Sequence, residues 1–320
     1  MSLVSTAVAR FARSATAFRR RNPRFRHWVP WSVLPLIQAA RSRMTEMRRL
    51  YLPVRHQARY RNVFHCCVQK TGSQWVKSVL LDPRAFEYSG YSHYHYRSRR
   101  VGDVGDRRRA TEREIRGPFP ERALVSPLYI AYDVYAAIPK EGETRAFFVM
   151  RDPRDLLVSW YFSARKNHVV GPDPTAPLAT ARAALAALDP EAGLKYAVDY
   201  FAERGRFDAL ASWADRGAAD PDVLLVRYED FVGPDSQGAF RRLFDHLDIQ
   251  IPADTLAALL EAYSFERLSG RKRGASDPNS HLRSGRAGDW TTHFTPDVLA
   301  HYHAVAGDLA ERLGYAPADA

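Results

Sequence analysis

The most informative stretch of the sequence is Asn62-Val63-Phe64-His65-Cys66-Cys67-Val68-Gln69-Lys70-Thr71-Gly72-Ser73-Gln74-Trp75-Val76-Lys77-Ser78-Val79-Leu80-Leu81. It opens with a mostly apolar run of strand length, and apolar residues recur at helical spacing from Trp75 onward. In the turn between them, Gly72 lets the backbone approach a ligand closely, and successive amide groups converge at a helix N-terminus. Lys70 adds a positive charge beside them. The stretch predicts a strand, a phosphate-binding turn and a helix.

The order of residues in this turn argues against one common type of phosphate site. The nucleoside triphosphate loop reads G-x-x-x-x-G-K-[ST], with glycine directly before the lysine and again five residues earlier. Here Gln69 and Phe64 occupy those places, and the lysine precedes the glycine. The turn is therefore not typical of a magnesium-dependent nucleoside triphosphate site.

A second apolar run, Arg145 to Met150, leads into Arg151-Asp152-Pro153-Arg154-Asp155. Asp152 suits an N-cap, Pro153 suits the first helical position, and Asp155 would complete a capping-box-like start. These residues predict a helix from Pro153 to about Arg165.

Two polar residues of this region could share one anion. Arg151 is expected at the tip of the strand, and Ser159 lies close to two turns into the helix. Together they could hold one phosphate from two sides by charge-assisted hydrogen bonds.

Two further patterns follow along the chain. Val223 to Asp230 reads as a buried strand followed by Tyr-Glu-Asp, and His281 to Thr295 contains Leu-Arg-Ser-Gly followed by Gly-Asp-Trp. Each of the four patterns alone also suits an ordinary turn, helix cap or core aromatic residue. In this order they are far more specific.

The four patterns resemble those of the PAPS-dependent sulfotransferases, where PAPS is 3′-phosphoadenosine 5′-phosphosulfate. Lys70 to Trp75 is similar to the family's 5′-phosphosulfate loop, Lys-Ser-Gly-Thr-Thr-Trp. Arg151 and Ser159, eight residues apart, match its 3′-phosphate motif. The C-terminal pattern resembles Arg-Lys-Gly-x-x-Gly-Asp-Trp-Lys-x-x-Phe-Thr, with Ser284 and Thr291 in place of two lysines.

The resemblance implies a P-loop-like, three-layer α/β/α fold with a mainly parallel sheet. It implies sulfuryl transfer from PAPS, without a metal, to a hydroxyl or amine. The alternatives left open are a nucleotide kinase or phosphatase of the same fold group, and a non-catalytic nucleotide-binding or nucleic-acid-binding protein. The implied PAPS-binding residues are Lys70, Thr71, Gly72, Ser73, Gln74, Trp75, Arg151, Ser159, Tyr228, Arg283, Ser284 and Gly285.

The sequence leaves the catalytic base open. Lys70 would neutralise charge on the departing nucleotide, whereas the histidine that many cytosolic members carry after the second strand is missing from Ala123 to Tyr129. Other branches take a carboxylate from the segment after the loop helix, and here that segment offers Glu87, His93 and His95. Because an unperturbed histidine titrates near the working pH, we favour His95, then His93, then Glu87. His168 is expected in an acceptor lid rather than as the base.

The sulfuryl acceptor requires a pocket of its own. Segments 82–122 and 163–195 are expected to form its pocket, and their tyrosines, histidines and arginines suit a small molecule, a glycan or a lipid.

Charge divides the chain into an expected arm, residues 1–60, and a catalytic domain, residues 61–320. The arm holds 13 arginines, no lysine and one acid, Glu46, whereas the whole chain carries +11, so the remainder is nearly neutral. The apolar run from Trp28 to Ile37 is too short to span a bilayer and contains two prolines. Contact with an anionic membrane surface, a solvated arm and nucleic-acid binding all remain open, with nucleic acid least favoured.

Composition points to a globular protein inside the cell. The chain is 46% hydrophobic, and its two cysteines, Cys66 and Cys67, are adjacent on an expected buried strand. A disulfide framework is therefore excluded, and a reducing, cytoplasmic location is expected.

Overall fold

The structure, a computed structural model, describes residues 52–94, 96, 108–167, 173–277, 279–280 and 282–317. Contacts divide the chain after Leu52, and the unit that follows comprises Pro53–Ala320. Ala58 and Tyr60 are buried in the core of this unit. The residues just before position 61 thus pack with the domain, whereas residues 1–51 lie outside the described part.

The described strands form one sheet in which every neighbouring pair is parallel, in the order β2-β3-β1-β4-β5. All four strands expected from the sequence are present. The three-residue β2 was not expected, because it carries no apolar run. The strands are β1 (Asn62–Cys67), β2 (Ser92–Tyr94), β3 (Ala123–Tyr129), β4 (Thr144–Met150) and β5 (Val223–Arg227).

Helices connect these strands. In the described part they are α1 (Ser73–Leu80), α2 (Pro83–Glu87), α3 (Tyr132–Ala136), α4 (Pro153–Phe162), α5 (Pro177–Ala186), α6 (Pro190–Glu203), α7 (Arg206–Asp215), α8 (Tyr228–Val232), α9 (Ser236–His246), α10 (Ala253–Ala262), α11 (Phe265–Ser269), α12 (Pro296–Ala306) and α13 (Leu309–Arg312). A π-helical turn, Ser163–Asn167, extends α4, and 3₁₀ turns lie at Gly217–Ala219 and Asp289–Thr292. Within the described residues, no helix is both long and apolar enough to cross a bilayer.

The sheet is buried on both faces, and each face has its own apolar core. Phe64 and Phe148 belong to a cluster with residues of α4, α6 and α7, whereas Val63 and Phe147 belong to a cluster with residues of α1 and α9. Alternation along each strand supplies both clusters, as expected for a parallel sheet between helical layers. The predicted three-layer α/β/α fold is confirmed.

The topology places the candidate site at the carboxyl edge of the sheet. After β1 the chain forms β2 and β3 on one side of that strand, and it then crosses to form β4 and β5 on the other side. In open α/β sheets such a switch point leaves a crevice at the carboxyl ends of the strands. The residues that follow β1, β4 and β5, namely Lys70, Arg151 and Tyr228, therefore meet at one place.

Helix α4 begins at Pro153 as expected, but one detail of its start differs. The Asp152 carboxylate accepts from Arg154 N at 2.9 Å and caps the helix. The capping-box expectation for Asp155 is wrong, because its carboxylate accepts from Gly288 N and Trp290 N instead. The Asp152 amide donates to Glu229 Oε1 at 3.1 Å.

Candidate functional site

A pocket of about 410 Å³ lies at the crevice. Of the twelve residues that the sequence assigns to nucleotide binding, all except Thr71 line it: Lys70, Gly72, Ser73, Gln74, Trp75, Arg151, Ser159, Tyr228, Arg283, Ser284 and Gly285. Thr71 is fully buried and donates through Oγ1 to Val68 O at 3.1 Å. It therefore holds the turn from inside.

The backbone of the turn after β1 adopts an unusual conformation at two positions. Lys70 has φ +77° and Gly72 has φ +76°, both in the left-handed region. A non-glycine residue there costs of order 1–3 kcal/mol, a strain often found at functional sites. A Cβ on Gly72 would lie 2.9 Å from the Tyr228 ring. Glycine is thus required both by the conformation and by the close approach of Tyr228.

The start of α1 presents backbone donors to the pocket. Gly72 is the N-cap and makes no side-chain capping bond. The amides of Trp75 and Val76 donate to Gly72 O, at 2.8 and 3.1 Å, so the amides ahead of them precede the first intrahelical bond. Together with the helix dipole, these groups favour an anion.

Lys70 projects into a strongly cationic environment. Burial, together with the nearby charges of Arg151 and Arg283, lowers the pKa of Lys70 to about 8. An anion bound between these three cations would raise the pKa again, because it would favour the protonated amine.

Arg151 is held in place on several sides. Its guanidinium donates from Nη1 to Lys70 O at 3.0 Å and lies 4.4 Å over the Tyr228 ring. Only 7% of the residue is exposed, and Nε has no hydrogen-bond partner. Burial opposes its charge, but Tyr228, Asp155 and Glu229 more than offset this, so the pKa is raised. Ser159 lines the same pocket, as the motif predicts.

The C-terminal loop contributes Arg283, Ser284 and Gly285 to the pocket. Arg283 forms an ion pair with Asp289 and lies 4.8 Å over the Phe162 ring, so it is already paired. Hydrogen bonds from His293 and Arg283 lower the pKa of Asp289 to about 2. Gly285 has φ +64°, and a Cβ there would lie 2.4 Å from the Phe265 ring.

Arg273 and Tyr129 are among the lining residues that sequence reasoning missed. Arg273 lies in a polar run without a recognised motif, and its guanidinium donates to Val232 O. Tyr129 ends β3, and its hydroxyl lies 3.2 Å from Ser73 Oγ. Burial raises the pKa of Tyr129 to about 12. Because β3 neighbours β1, its terminal residue could have been inferred from the topology.

Two of the candidate bases, His93 and Glu87, are absent from the pocket lining. His93 is in β2, and its Nε2 is 2.8 Å from Ser126 O. Glu87 pairs with Arg55. Neither belongs to the residues that line the pocket, whereas Lys70 does. His95 and His168 lie outside the described residues, so the choice of base stays a prediction.

The described residues contain no group of three or more His, Cys, Asp or Glu side chains placed to hold a metal ion.

The fold and site define an α/β protein with an anion-binding turn at the switch point of a parallel sheet. The family model described as "Sulfotransferase domain" matches residues 61–314. The chain belongs to the sulfotransferase domain family.

Individual relatives are distant. Sulfotransferase 6B1 of Danio rerio is 24% identical over 179 residues, which cover 52% of this chain and 54% of that protein. Cytosolic sulfotransferase 17 of Arabidopsis thaliana is 20% identical over 93% of this chain and 86% of its own length. Sulfotransferase 2A6 of Rattus norvegicus is 26% identical over 48% of this chain. The match spans about half the length of the Danio and Rattus relatives.

Solved structures share the fold. Mouse sulfotransferase SULT7A1, complexed with PAP, superposes with a TM-score of 0.54 at 19% identity, over 81% of this chain and 90% of that one. A retinol dehydratase in complex with androsterone and the inactive cofactor PAP superposes with a TM-score of 0.50 at 16% identity, over 81% of this chain and 83% of that one.

Proposed function

We propose that the protein transfers a sulfuryl group from PAPS to a hydroxyl or amine of an acceptor and releases 3′,5′-bisphosphoadenosine. The observation that carries this proposal is the meeting of Lys70, Arg151 and Arg283, from three distant segments, around one pocket. Membership of the sulfotransferase domain family supports the same chemistry.

The pocket can accommodate the two charged ends of such a nucleotide separately. The 5′ end would lie on the turn after β1, where Lys70 and the first amides of α1 converge. The 3′-phosphate would lie beside Arg151 and Ser159, under the backbone of Ser284.

The ribose would link these two ends, and the adenine attached to it would lie beside aromatic residues. Trp75 and Tyr228 meet edge to face with ring centroids 6.4 Å apart, and both line the pocket. Stacking of a base on an aromatic side chain contributes roughly 1–3 kcal/mol. The Arg151 guanidinium already covers one face of Tyr228, so we assign the closer adenine contact to Trp75.

In the reaction, a bond forms between the acceptor oxygen or nitrogen and sulfur, while the bond from sulfur to the bridging oxygen breaks. The electron pair of the broken bond stays on the 5′-phosphate, where Lys70 neutralises the developing charge. The acceptor proton passes to a base, for which we keep the order His95, His93, Glu87.

The acceptor is proposed as a small molecule, with glycan and lipid acceptors as the alternatives. A retinol dehydratase of this fold has been crystallised with androsterone. By analogy, a hydroxyl on an apolar skeleton is a reasonable first acceptor to screen here.

Ligand-dependent melting tests the nucleotide specificity. A ligand at one hundred times its Kd stabilises the folded state by about 2.7 kcal/mol. We expect a rise in Tm with 3′,5′-bisphosphoadenosine, little change with ATP and magnesium, and no change with an oligonucleotide. Arg151→Ala should lose the rise, whereas Asp215→Asn, on a half-exposed surface ion pair, should keep it. A rise only with ATP and magnesium would support a kinase, and one only with the oligonucleotide would support a nucleic-acid-binding protein.

Residues 1–60 are proposed to hold the protein at an anionic membrane surface within the cytoplasm, without binding nucleic acid. Surface attraction of about 1 kcal/mol per basic residue would make this binding sensitive to salt. Protein that begins at Pro53 keeps the buried Ala58 and Tyr60, and should lose sedimentation with phosphatidylserine vesicles while retaining bisphosphate affinity. If the full chain ignores such vesicles at low salt, the membrane proposal is wrong.

A further inference from the structure

Asp155 connects two parts of the pocket that are far apart in the sequence. It lies one helical turn after Arg151 on α4, and its side chain is fully buried. Its Oδ2 accepts from Gly288 N at 2.8 Å and its Oδ1 accepts from Trp290 N at 2.9 Å. The same Oδ2 lies 3.6 Å from Arg151 Nη2. One carboxylate thus contacts both the arginine and the C-terminal loop.

The loop held in this way is the segment that carries the pocket lining. Ser284 and Gly285 precede Gly288 by a few residues and line the pocket. Asp289, between the two amides bound by Asp155, pairs with Arg283. Arg286 O lies 3.5 Å from Arg151 Nη2, so the loop also touches the arginine directly.

The electrostatic setting of Asp155 shows why its partners matter. Burial raises the pKa of its carboxyl, and Arg151 with the Trp290 and Gly288 amides only partly offsets this, so the pKa stays raised. A buried carboxylate that loses one of its partners is strongly destabilised. The buried Asp155 carboxylate is therefore most stable when both Arg151 and the loop contact it, which couples the position of Arg151 to that of the loop.

Asp155 differs in this respect from the other acid of the same motif. Asp152 binds the backbone and side chain of Arg154, two residues away, and caps its own helix. Its contacts explain a local role in folding. The contacts of Asp155 reach across 133 residues to the C-terminal loop.

We propose that Asp155 is a positioning residue for the 3′-phosphate: it fixes Arg151 and the loop from Arg283 to Trp290 in one arrangement, so that both sides of this anion site form together. The inference rests on the proposed function, because it takes the ligand at Arg151 to be a 3′-phosphate. A bound 3′-phosphate and the closed loop should then stabilise each other.

The test compares two nucleotides that differ only in the 3′-phosphate. In the full-length wild type and in Asp155→Asn, calorimetry gives Kd for 3′,5′-bisphosphoadenosine and for 5′-AMP. Asparagine is similar in size to aspartate, but it carries no charge. Its NH₂ group would also face one of the two backbone N–H donors, Gly288 N or Trp290 N. We expect about a tenfold or larger rise in Kd for the bisphosphate and much less change for 5′-AMP, as for the loss of bonds to a charged group. The matched control is Asp215→Asn, which should change neither value.

A purely structural role would give another pattern. If the role of Asp155 is purely structural, Asp155→Asn should lower the Tm or weaken binding of both nucleotides equally, and the ratio of the two Kd values should not change. A wild-type ratio in Asp155→Asn would overturn the inference while leaving the proposed function intact. Equal affinities in the wild type would instead overturn the proposed function.

Amide exchange in the wild type keeps the inference testable even if Asp155→Asn does not fold. The Gly288 and Trp290 amides should be protected in the free protein and gain further protection with the bisphosphate but not with 5′-AMP. Val298 N, bound to Thr295 Oγ1, serves as the internal reference and should not respond. Unprotected Gly288 and Trp290 amides, or equal responses to both nucleotides, would overturn the inference.

Discussion

The turn from Val68 to Trp75 and the loop from Leu282 to Trp290 both contribute residues to one pocket, but they are held in different ways. The turn joins a central strand to its helix, and the bond from Thr71 to Val68 O is local. The loop is held partly by the preceding segment, where Gly274 N donates to Ser284 O at 2.8 Å, and partly by Asp155, which is 133 residues away from Gly288. The turn is thus largely specified by adjacent residues, whereas the geometry of the loop depends on the completed fold.

This difference leads to different expectations for ligand binding. The turn should keep its shape without a ligand, since its strand is buried in the centre of the sheet. The loop should depend on the charges around Arg151. Mutations in the turn should therefore affect catalysis and recognition of the 5′ end of the nucleotide. Mutations of the loop and of Arg151 should affect recognition of the 3′-phosphate.

The largest effect is expected from Lys70→Met. The lysine is placed to neutralise charge that develops only as the nucleotide departs, and loss of one such group typically lowers kcat by about 10²–10³-fold. Once an acceptor is found, kcat at saturating PAPS measures the effect. Lys70→Arg should retain part of the activity because it keeps the charge. Unchanged kcat in Lys70→Met would remove the lysine from the mechanism.

The next largest effect is expected from Arg151→Ala, directly after β4 and in contact with the C-terminal loop. The arginine is 7% exposed and its Nε is unpaired, so a phosphate would gain a strong partner. The variant should weaken binding of 3′,5′-bisphosphoadenosine by roughly 1.5–3 kcal/mol, the range for hydrogen bonds to charged groups. Calorimetry measures this change, and Kd for 5′-AMP is the internal control. Equal losses for both nucleotides would argue against a 3′-phosphate at Arg151.

These two predictions differ in how far the sequence supports them. Lys70 and Gly72 could be placed because strand, turn and helix follow one another in a single stretch. Arg151 could be placed because the end of β4 and the start of α4 are adjacent in the sequence. In each case one local pattern fixes the position of the side chain.

Other features could not be predicted because they arise from contacts between distant segments. The binding of Gly288 and Trp290 by Asp155 spans more than 130 residues, and the capping pattern suggested a local partner instead. The pairing of Arg283 with Asp289 joins residues only six positions apart, but it depends on how an irregular loop closes and follows no repeating pattern. The role of Tyr129 requires knowing that β3 lies beside β1.

A smaller effect is expected from pH. The pKa of Lys70 is about 8 in the free protein, and a bound anion raises it, so binding is accompanied by proton uptake. Affinity for the bisphosphate should be nearly constant up to about pH 7 and should fall about tenfold by pH 9, because each unit above the free pKa costs about 1.4 kcal/mol. Titration by calorimetry at several pH values measures the fall. Lys70→Arg should not show it, because its side chain stays charged.

The smallest effect is expected from Arg283→Ala. This arginine is already paired with Asp289, so a phosphate would have to share it. We expect a loss of about 1 kcal/mol or less in bisphosphate affinity, in the range of partly exposed ion pairs. A loss as large as that in Arg151→Ala would show that the loop side binds as strongly as the α4 side.

Recognition of a 3′-phosphorylated nucleotide is best tested by the affinity of the wild-type protein for 3′,5′-bisphosphoadenosine relative to 5′-AMP. The two ligands share the base, the ribose and the 5′-phosphate, so their difference reports only the site formed by Arg151, Ser159 and the C-terminal loop. We predict that the bisphosphate binds at least about tenfold more tightly, which corresponds to about 1.4 kcal/mol. Equal affinities for the two nucleotides would contradict a PAPS-dependent sulfotransferase.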